Sequence, residues 1–127
     1  MPHAPKRALV ADDDEATGRL VREALLLEGY RVEVRANGRD ALDRLRAAPP
    51  VDLAVLDVVM PGLTGVEVLR SLRAAGGNVP AIVMSSFLSD EVRRICGSLG
   101  RVRLLEKPFR LEDLRRAVSE LLRPLSC

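Results

Sequence analysis

Short apolar runs alternate with amphipathic stretches along the whole chain, and each apolar run ends in polar residues. Arg7-Ala8-Leu9-Val10-Ala11 leads into Asp12-Asp13-Asp14-Glu15, and Val51-Asp52-Leu53-Ala54-Val55-Leu56 leads into Asp57. Ala81-Ile82-Val83-Met84 leads into Ser85-Ser86, and Val102-Arg103-Leu104-Leu105 into Glu106-Lys107-Pro108. Such runs predict strands buried on both faces. Arg31-Val32-Glu33-Val34-Arg35 alternates with period 2 instead, which predicts an edge strand half in water. Between the strands, helical periodicity predicts helices over residues 14–28, 38–47, 65–75, Asp90 to Leu99, and 110–122. Gly29, Pro49-Pro50, Gly76-Gly77 and Pro124 supply the stops. Five strand–helix units fill the chain with no repeat, linker or second domain, so the expected class is α/β, a parallel sheet covered by helices on both faces.

In an open parallel sheet, ligands bind beyond the carboxyl ends of the strands. The polar strand ends should therefore converge on one site. A nucleotide-binding design would need a glycine-rich turn after the first strand, so that backbone N–H groups can approach phosphate. That turn here holds four carboxylates, Asp12 to Glu15. They would repel bare phosphate but suit a hard cation such as Mg²⁺, which prefers oxygen ligands. Asp14 and Glu15 read as the cap and first turn of the following helix, leaving Asp12 and Asp13 for metal. With a cation beside it, the Asp57 carboxylate can attack a phosphoryl group and form an aspartyl phosphate. Lys107 can pair with one phosphoryl oxygen and the Ser85 hydroxyl can donate to another. Lys107 is one of two lysines among 20 basic residues, so an amine at this position stands out.

Composition narrows the partners. The chain has 127 residues, enough for one core that buries roughly two-thirds of the unfolded surface. No segment approaches the ~20 apolar residues of a membrane helix, and Met1-Pro2-His3-Ala4-Pro5-Lys6 lacks a signal-peptide apolar region, so a cytoplasmic location and no membrane contact are expected. Residues 1–57 carry net −2 and residues 58–127 net +4. With one Tyr, two Phe and no Trp to stack on bases, the basic half reads as a solvated arginine face, and direct nucleic-acid binding is not expected. Cys96 and Cys127 form neither a disulfide framework nor a metal-ligand spacing. His3 lies in the start of the chain and is given no role.

The order and spacing of these residues resemble a receiver domain of the two-component response regulators. The resemblance rests on Asp12 and Asp13 after the first strand, Asp57 before Met60-Pro61-Gly62 and Gly65, Ser85 after the fourth strand, and Lys107-Pro108-Phe109 after the fifth. Asn37-Gly38-Arg39-Asp40-Ala41-Leu42 resembles the family's second-helix opening. It covers the chain end to end, with residues 1–6 expected as a flexible N-terminus, 7–122 as the receiver and 123–127 as a C-terminal tail. The resemblance implies a flavodoxin-like (βα)5 doubly wound sheet with strand order 2-1-3-4-5. It further implies that Asp57 accepts phosphate from a histidine kinase or histidine phosphotransfer protein. Mg²⁺, with Mn²⁺ as the alternative, would be held by Asp13, Asp57 and the Val59 carbonyl, with Asp12 reaching it through water. A cis Lys107–Pro108 peptide and a state that is monomeric or a weak phosphorylation-linked homodimer are implied as well. The domain would switch conformation for an unidentified downstream partner and would not be an enzyme.

Leu104 stands where the family has an aromatic switch residue, and Ser85 where it often has Thr. Val59 and Phe87 occupy the positions that flank the phosphoryl group; being apolar, they cannot orient water, which predicts slow self-dephosphorylation. The output face implied by the family includes Phe87, Leu88, Arg93, Arg94, Arg103, Arg115 and Arg116. Two other functions fit parts of the pattern. A haloacid-dehalogenase-like phosphatase also uses Asp, Ser, Lys and Mg²⁺, and Asp12 and Asp14 mimic its paired acids, but Asp57 would then be idle and Glu112-Asp113 falls inside the last helix. A phosphorylation-independent interaction module could use Leu25-Leu26-Leu27, which covers more than one helix face.

Overall fold

A computed structural model describes residues 5–122. Five strands and five helices alternate: β1 Arg7–Ala11, α1 Glu15–Leu27, β2 Arg31–Arg35, α2 Gly38–Arg46, β3 Leu53–Asp57, α3 Gly65–Ala74, β4 Ala81–Ser85, α4 Asp90–Leu99, β5 Val102–Glu106 and α5 Leu111–Leu122. All strand pairings are parallel and the order is β2-β1-β3-β4-β5. Both expectations, architecture and strand order, hold. The expected flexible start and C-terminal tail, with His3 and Cys127, lie largely outside the described residues.

The sheet separates two apolar layers. Ala8, Val10, Leu53, Val55, Ile82 and Met84 point to one side, where α1 and α5 supply Val21, Leu25, Leu114 and Val118. Their strand neighbours Leu9, Ala11, Ala54, Leu56, Ala81 and Val83 point to the other, against Leu42, Val68, Leu69 and Cys96 of α2, α3 and α4. The central strands β3 and β4 are buried at every position, whereas edge strand β2 is buried at none. Truncating one of the fully buried leucines, such as Leu56→Ala, should cost about 2–5 kcal/mol.

Local chemistry fixes the helix ends. Asp14 caps α1, its carboxylate accepting from the Ala16 N–H at 3.2 Å and the Thr17 hydroxyl at 2.7 Å. After α1, Gly29 adopts φ +93°, and the Tyr30 N–H returns to the Leu25 carbonyl at 3.1 Å, so the chain reverses into β2. Thr64 and Glu67 cap α3 reciprocally.

Two glycines set the packing around the strand ends. A Cβ on Gly65 would lie 2.3 Å from the Asp57 carbonyl oxygen, and one on Gly38 would lie 1.9 Å from the Leu63 carbonyl oxygen. Only glycine allows α3 to begin against the end of β3 and α2 to begin against the following loop. Among the described residues no helix is long and apolar enough to cross a membrane.

Candidate functional site

Among the described residues, three polar side chains are buried in an otherwise apolar core: Asp12, Asp57 and Ser85. Each follows or ends a central strand, so the sheet itself delivers them to one edge. Asp57 is the last residue of β3 and Ser85 the last of β4, with Asp57 in register with Met84. Asp12 directly follows β1 and Lys107 directly follows β5.

Lys107 crosses from the sheet edge to bridge both acids. Its Nζ lies 2.9 Å from Asp12 Oδ2 and 3.2 Å from Asp57 Oδ2. The other Asp12 oxygen accepts from the Asp14 N–H at 2.9 Å, and Asp57 Oδ1 accepts from the Val59 N–H at 3.4 Å. One carboxylate oxygen each from Asp12, Asp13 and Asp57 lie within 4.8 Å of one another. Asp13 is exposed while the other two are buried, so the cluster has one open side.

This concentration of charge perturbs its members. Burial raises the Asp57 carboxyl to about 6, the Asp12 carboxylate adds to the rise, and Lys107 opposes it. For Lys107, burial acts downward, but hydrogen bonds and attraction from Asp12 and Asp57 hold the ammonium above its ordinary value. One cation facing three carboxylates leaves the cluster under-compensated. The donor set is all oxygen, anionic and open to solvent on one side, which fits a hard divalent ion that retains waters. These three acids can therefore hold a metal ion.

Ser85 is engaged locally. Its Oγ donates to the Phe87 carbonyl at 2.7 Å and accepts from the Phe87 N–H at 3.1 Å. The Val59 and Phe87 side chains stand out into solvent, 70% and 75% exposed. The Lys107–Pro108 peptide is cis, as expected. Leu104 is half-buried, packed against the layer that contains α4.

The competing acids are accounted for. Asp14 serves the α1 cap, and Asp113 accepts from the Arg110 N–H at 3.0 Å at the start of α5, so neither completes a phosphatase-type acidic pair. Two arginines make contacts that the sequence did not signal. Arg115, exposed like Arg103 and Arg116, pairs with Glu28 after α1 at 2.7 Å. Arg73, half-buried, spends its guanidinium on backbone carbonyls. Sequence reasoning also missed the Ser85–Phe87 pairing, whose only signal was a hydroxyl two residues before an exposed aromatic.

This fold and this edge define a phosphoacceptor-type signalling domain. Residues 8–119 match the family model of the response regulator receiver domain, and the chain belongs to that family. It is 43% identical over 121 residues to response regulator MprA of Mycolicibacterium vanbaalenii, covering 94% of this chain and 51% of that protein. The chain thus spans about half the length of the curated relatives it matches. Among solved structures it resembles chemotaxis protein CheY4 of Vibrio cholerae, with TM-score 0.84, 30% identity, and coverage of 94% of this chain and 100% of that one. The receiver domain of Francisella response regulator 1452 is similar at TM-score 0.81 and 31% identity, over 93% of this chain and 96% of that one.

Proposed function

We propose that Asp57 is the phosphoacceptor of this receiver, and that the group arrives from the phosphohistidine of a kinase or phosphotransfer protein. The observation that carries the reading is the position of Asp57: a buried carboxylate at the end of a central strand, 3.2 Å from the one lysine at that edge. An Asp57 oxygen attacks phosphorus in line, the P–O bond forms as the donor's P–N bond breaks, and the departing imidazole takes up a proton. Lys107 exchanges its contact with Asp57 for a phosphoryl oxygen while remaining paired with Asp12. Ser85 Oγ turns its single proton from the Phe87 carbonyl to another phosphoryl oxygen.

Mg²⁺, or Mn²⁺ in its place, would be held by Asp13, Asp57 and the Val59 carbonyl, with Asp12 reaching it through water, and its charge would offset the repulsion between anionic donor and acceptor. As a receiver, the domain takes its phosphate from a partner rather than turning over a substrate. The acceptor bond is expected to be long-lived, because neither Val59 nor Phe87 offers a hydrogen bond that would orient water. The domain then acts in the cytoplasm, as a monomer or a weak phosphorylation-linked homodimer, on a downstream protein or output domain.

Incubation with Mg²⁺ and acetyl phosphate, followed by intact mass, tests this. A single phosphoryl adduct that needs the metal and is absent from Asp57→Asn is expected. A folded wild-type chain that takes up no phosphate under those conditions refutes the assignment.

A further inference from the structure

Arg73 is an ionisable group without a part in the acidic site, and its setting is unusual. It lies in the last turn of α3. Its Nη1 donates to the Gly77 carbonyl at 3.3 Å, and its Nη2 to the carbonyls of Val79 at 2.7 Å and Gly100 at 3.1 Å. Its Nε is buried and has no partner among the described residues. Burial first, and the neighbouring Arg101 second, push the guanidinium below its ordinary value, so the position is unfavourable for a cation. Among the described residues no carboxylate pairs with it. What it gains is a fork across two chain connections.

Those connections are the one before β4, residues 77–80, and the one after α4, Gly100 and Arg101. Arg101, a non-glycine residue at φ +54°, donates from Nη1 to the Asn78 carbonyl at 3.1 Å, and its own carbonyl accepts from the Ala81 N–H at 3.0 Å. The C-terminal end of α4 is thereby tied down from both sides. Its N-terminal approach is tied differently: Ser85 Oγ clasps Phe87 through both its N–H and its carbonyl. Between the two ties α4 rests on the sheet through the buried Cys96 and the partly buried Val92, Ile95 and Leu99.

A hydroxyl has one proton. If Asp57 is the acceptor, as read above, Ser85 cannot both donate to the phosphoryl group and keep the Phe87 carbonyl. Phosphorylation then removes the donated half of the tie at one end of α4, the bond to the Phe87 carbonyl, and leaves the ties at the other end intact. We propose that Arg73 is a positioning residue of the switch, the fulcrum that holds Gly100 so that release of Phe87 displaces the N-terminal turns of α4 instead of loosening the whole helix.

Hydrogen exchange of the full chain, with and without Mg²⁺ and acetyl phosphate, tests this, with intact mass measured on the same samples. In the wild type, phosphorylation should raise exchange over residues 86–93 roughly fivefold, the worth of a lost hydrogen bond, and leave residues 97–102 unchanged. In Arg73→Met the adduct should form to the same extent, but exchange over 97–102 should rise with that over 86–93 and the contrast between the ends should vanish. Arg73→Lys, which keeps the charge but loses the planar fork, should restore part of the contrast; it carries the test should the Met variant not fold. Equal loosening of both ends in the wild type, or a preserved contrast in Arg73→Met, overturns the fulcrum. Failure of the wild type to take up phosphate overturns the acceptor reading, a result the mass spectrum separates from the first.

Discussion

Neutralising Asp57 should make the metal-free domain more stable, although it abolishes the proposed function. The carboxyl is raised to about 6 in the folded chain, by burial and by Asp12, against 3.8 for a free aspartate side chain. A folded-state value above the unfolded one means the native protein holds the proton more tightly. Stability therefore falls as pH rises from about 4 to about 6, and the full penalty is present above that window. About two units at 1.36 kcal/mol each set an upper limit of ~3 kcal/mol. Solvent at the open side of the site and the loss of the Lys107 contact reduce the expected gain of Asp57→Asn to about 1–2 kcal/mol near pH 7.5.

Urea denaturation in EDTA measures this directly. With a slope of about 1–3 kcal/mol/M, the midpoint of Asp57→Asn should rise by roughly 0.5–1 M at pH 7.5 and by much less near pH 4, where the wild-type carboxyl is already protonated. Saturating Mg²⁺ should narrow the gap, because the ion stabilises only the chain that binds it. A destabilised Asn variant, or an equal gain at both pH values, would show that Asp57 is not held at an electrostatic cost.

The same titration predicts that apparent Mg²⁺ affinity, followed by calorimetry, falls as pH drops below about 6 and is flat above it, since the proton must leave before the metal binds; a flat profile from pH 5 to 8 would be inconsistent with Asp57 as a ligand. Gly65→Ala, whose new Cβ would meet the Asp57 carbonyl oxygen at 2.3 Å, should cost about 1–3 kcal/mol by thermal or chemical melting and lower the yield of acetyl-phosphate labelling as the Asp57 backbone is displaced. Val59→Gln places a water-orienting amide at an exposed position; it should shorten the phosphoryl lifetime about fivefold, one hydrogen bond's worth, without altering stability, and an unchanged lifetime would remove Val59 as a determinant.

What the sequence disclosed and what it withheld divide along a physical line. Strands β1, β3 and β4 were legible because central strands of a parallel sheet must be apolar on both faces, and β2 because an edge strand alternates. The candidate site was legible for a related reason. Runs such as Leu53 to Leu56 have no room for charge, so Asp57 at the end of one is conspicuous, and topology then brings Asp12, Asp13, Ser85 and Lys107 to the same edge. The role of Gly65 was visible only as part of a motif; its cause, a 2.3 Å approach to the Asp57 carbonyl, is a tertiary distance. Arg73 was invisible. It stands in a helix where any arginine would be read as solvated, and its three carbonyl partners come from connections whose paths no local pattern specifies.

These two classes of residue meet in how the domain stores its capacity to switch. The Asp57 carboxylate would be more comfortable in water, and Lys107 compensates only part of its repulsion from Asp12. A sequence selected for stability alone would not keep them, and disagreement between burial and residue type in an otherwise consistent core is where function is expected. Arg73 shows a related disagreement at the opposite end of α4, with a half-buried cation set against carbonyls and a buried donor left over. If both sites are retained against a stability cost, the costs should be independent, since the two sites share no contact. The double variant Asp57→Asn, Arg73→Met should then show a stability change equal to the sum of the single changes within about 0.5 kcal/mol in the metal-free state. Coupling should appear only when a phosphoryl group on Asp57 engages Ser85 and loads α4 from its other end.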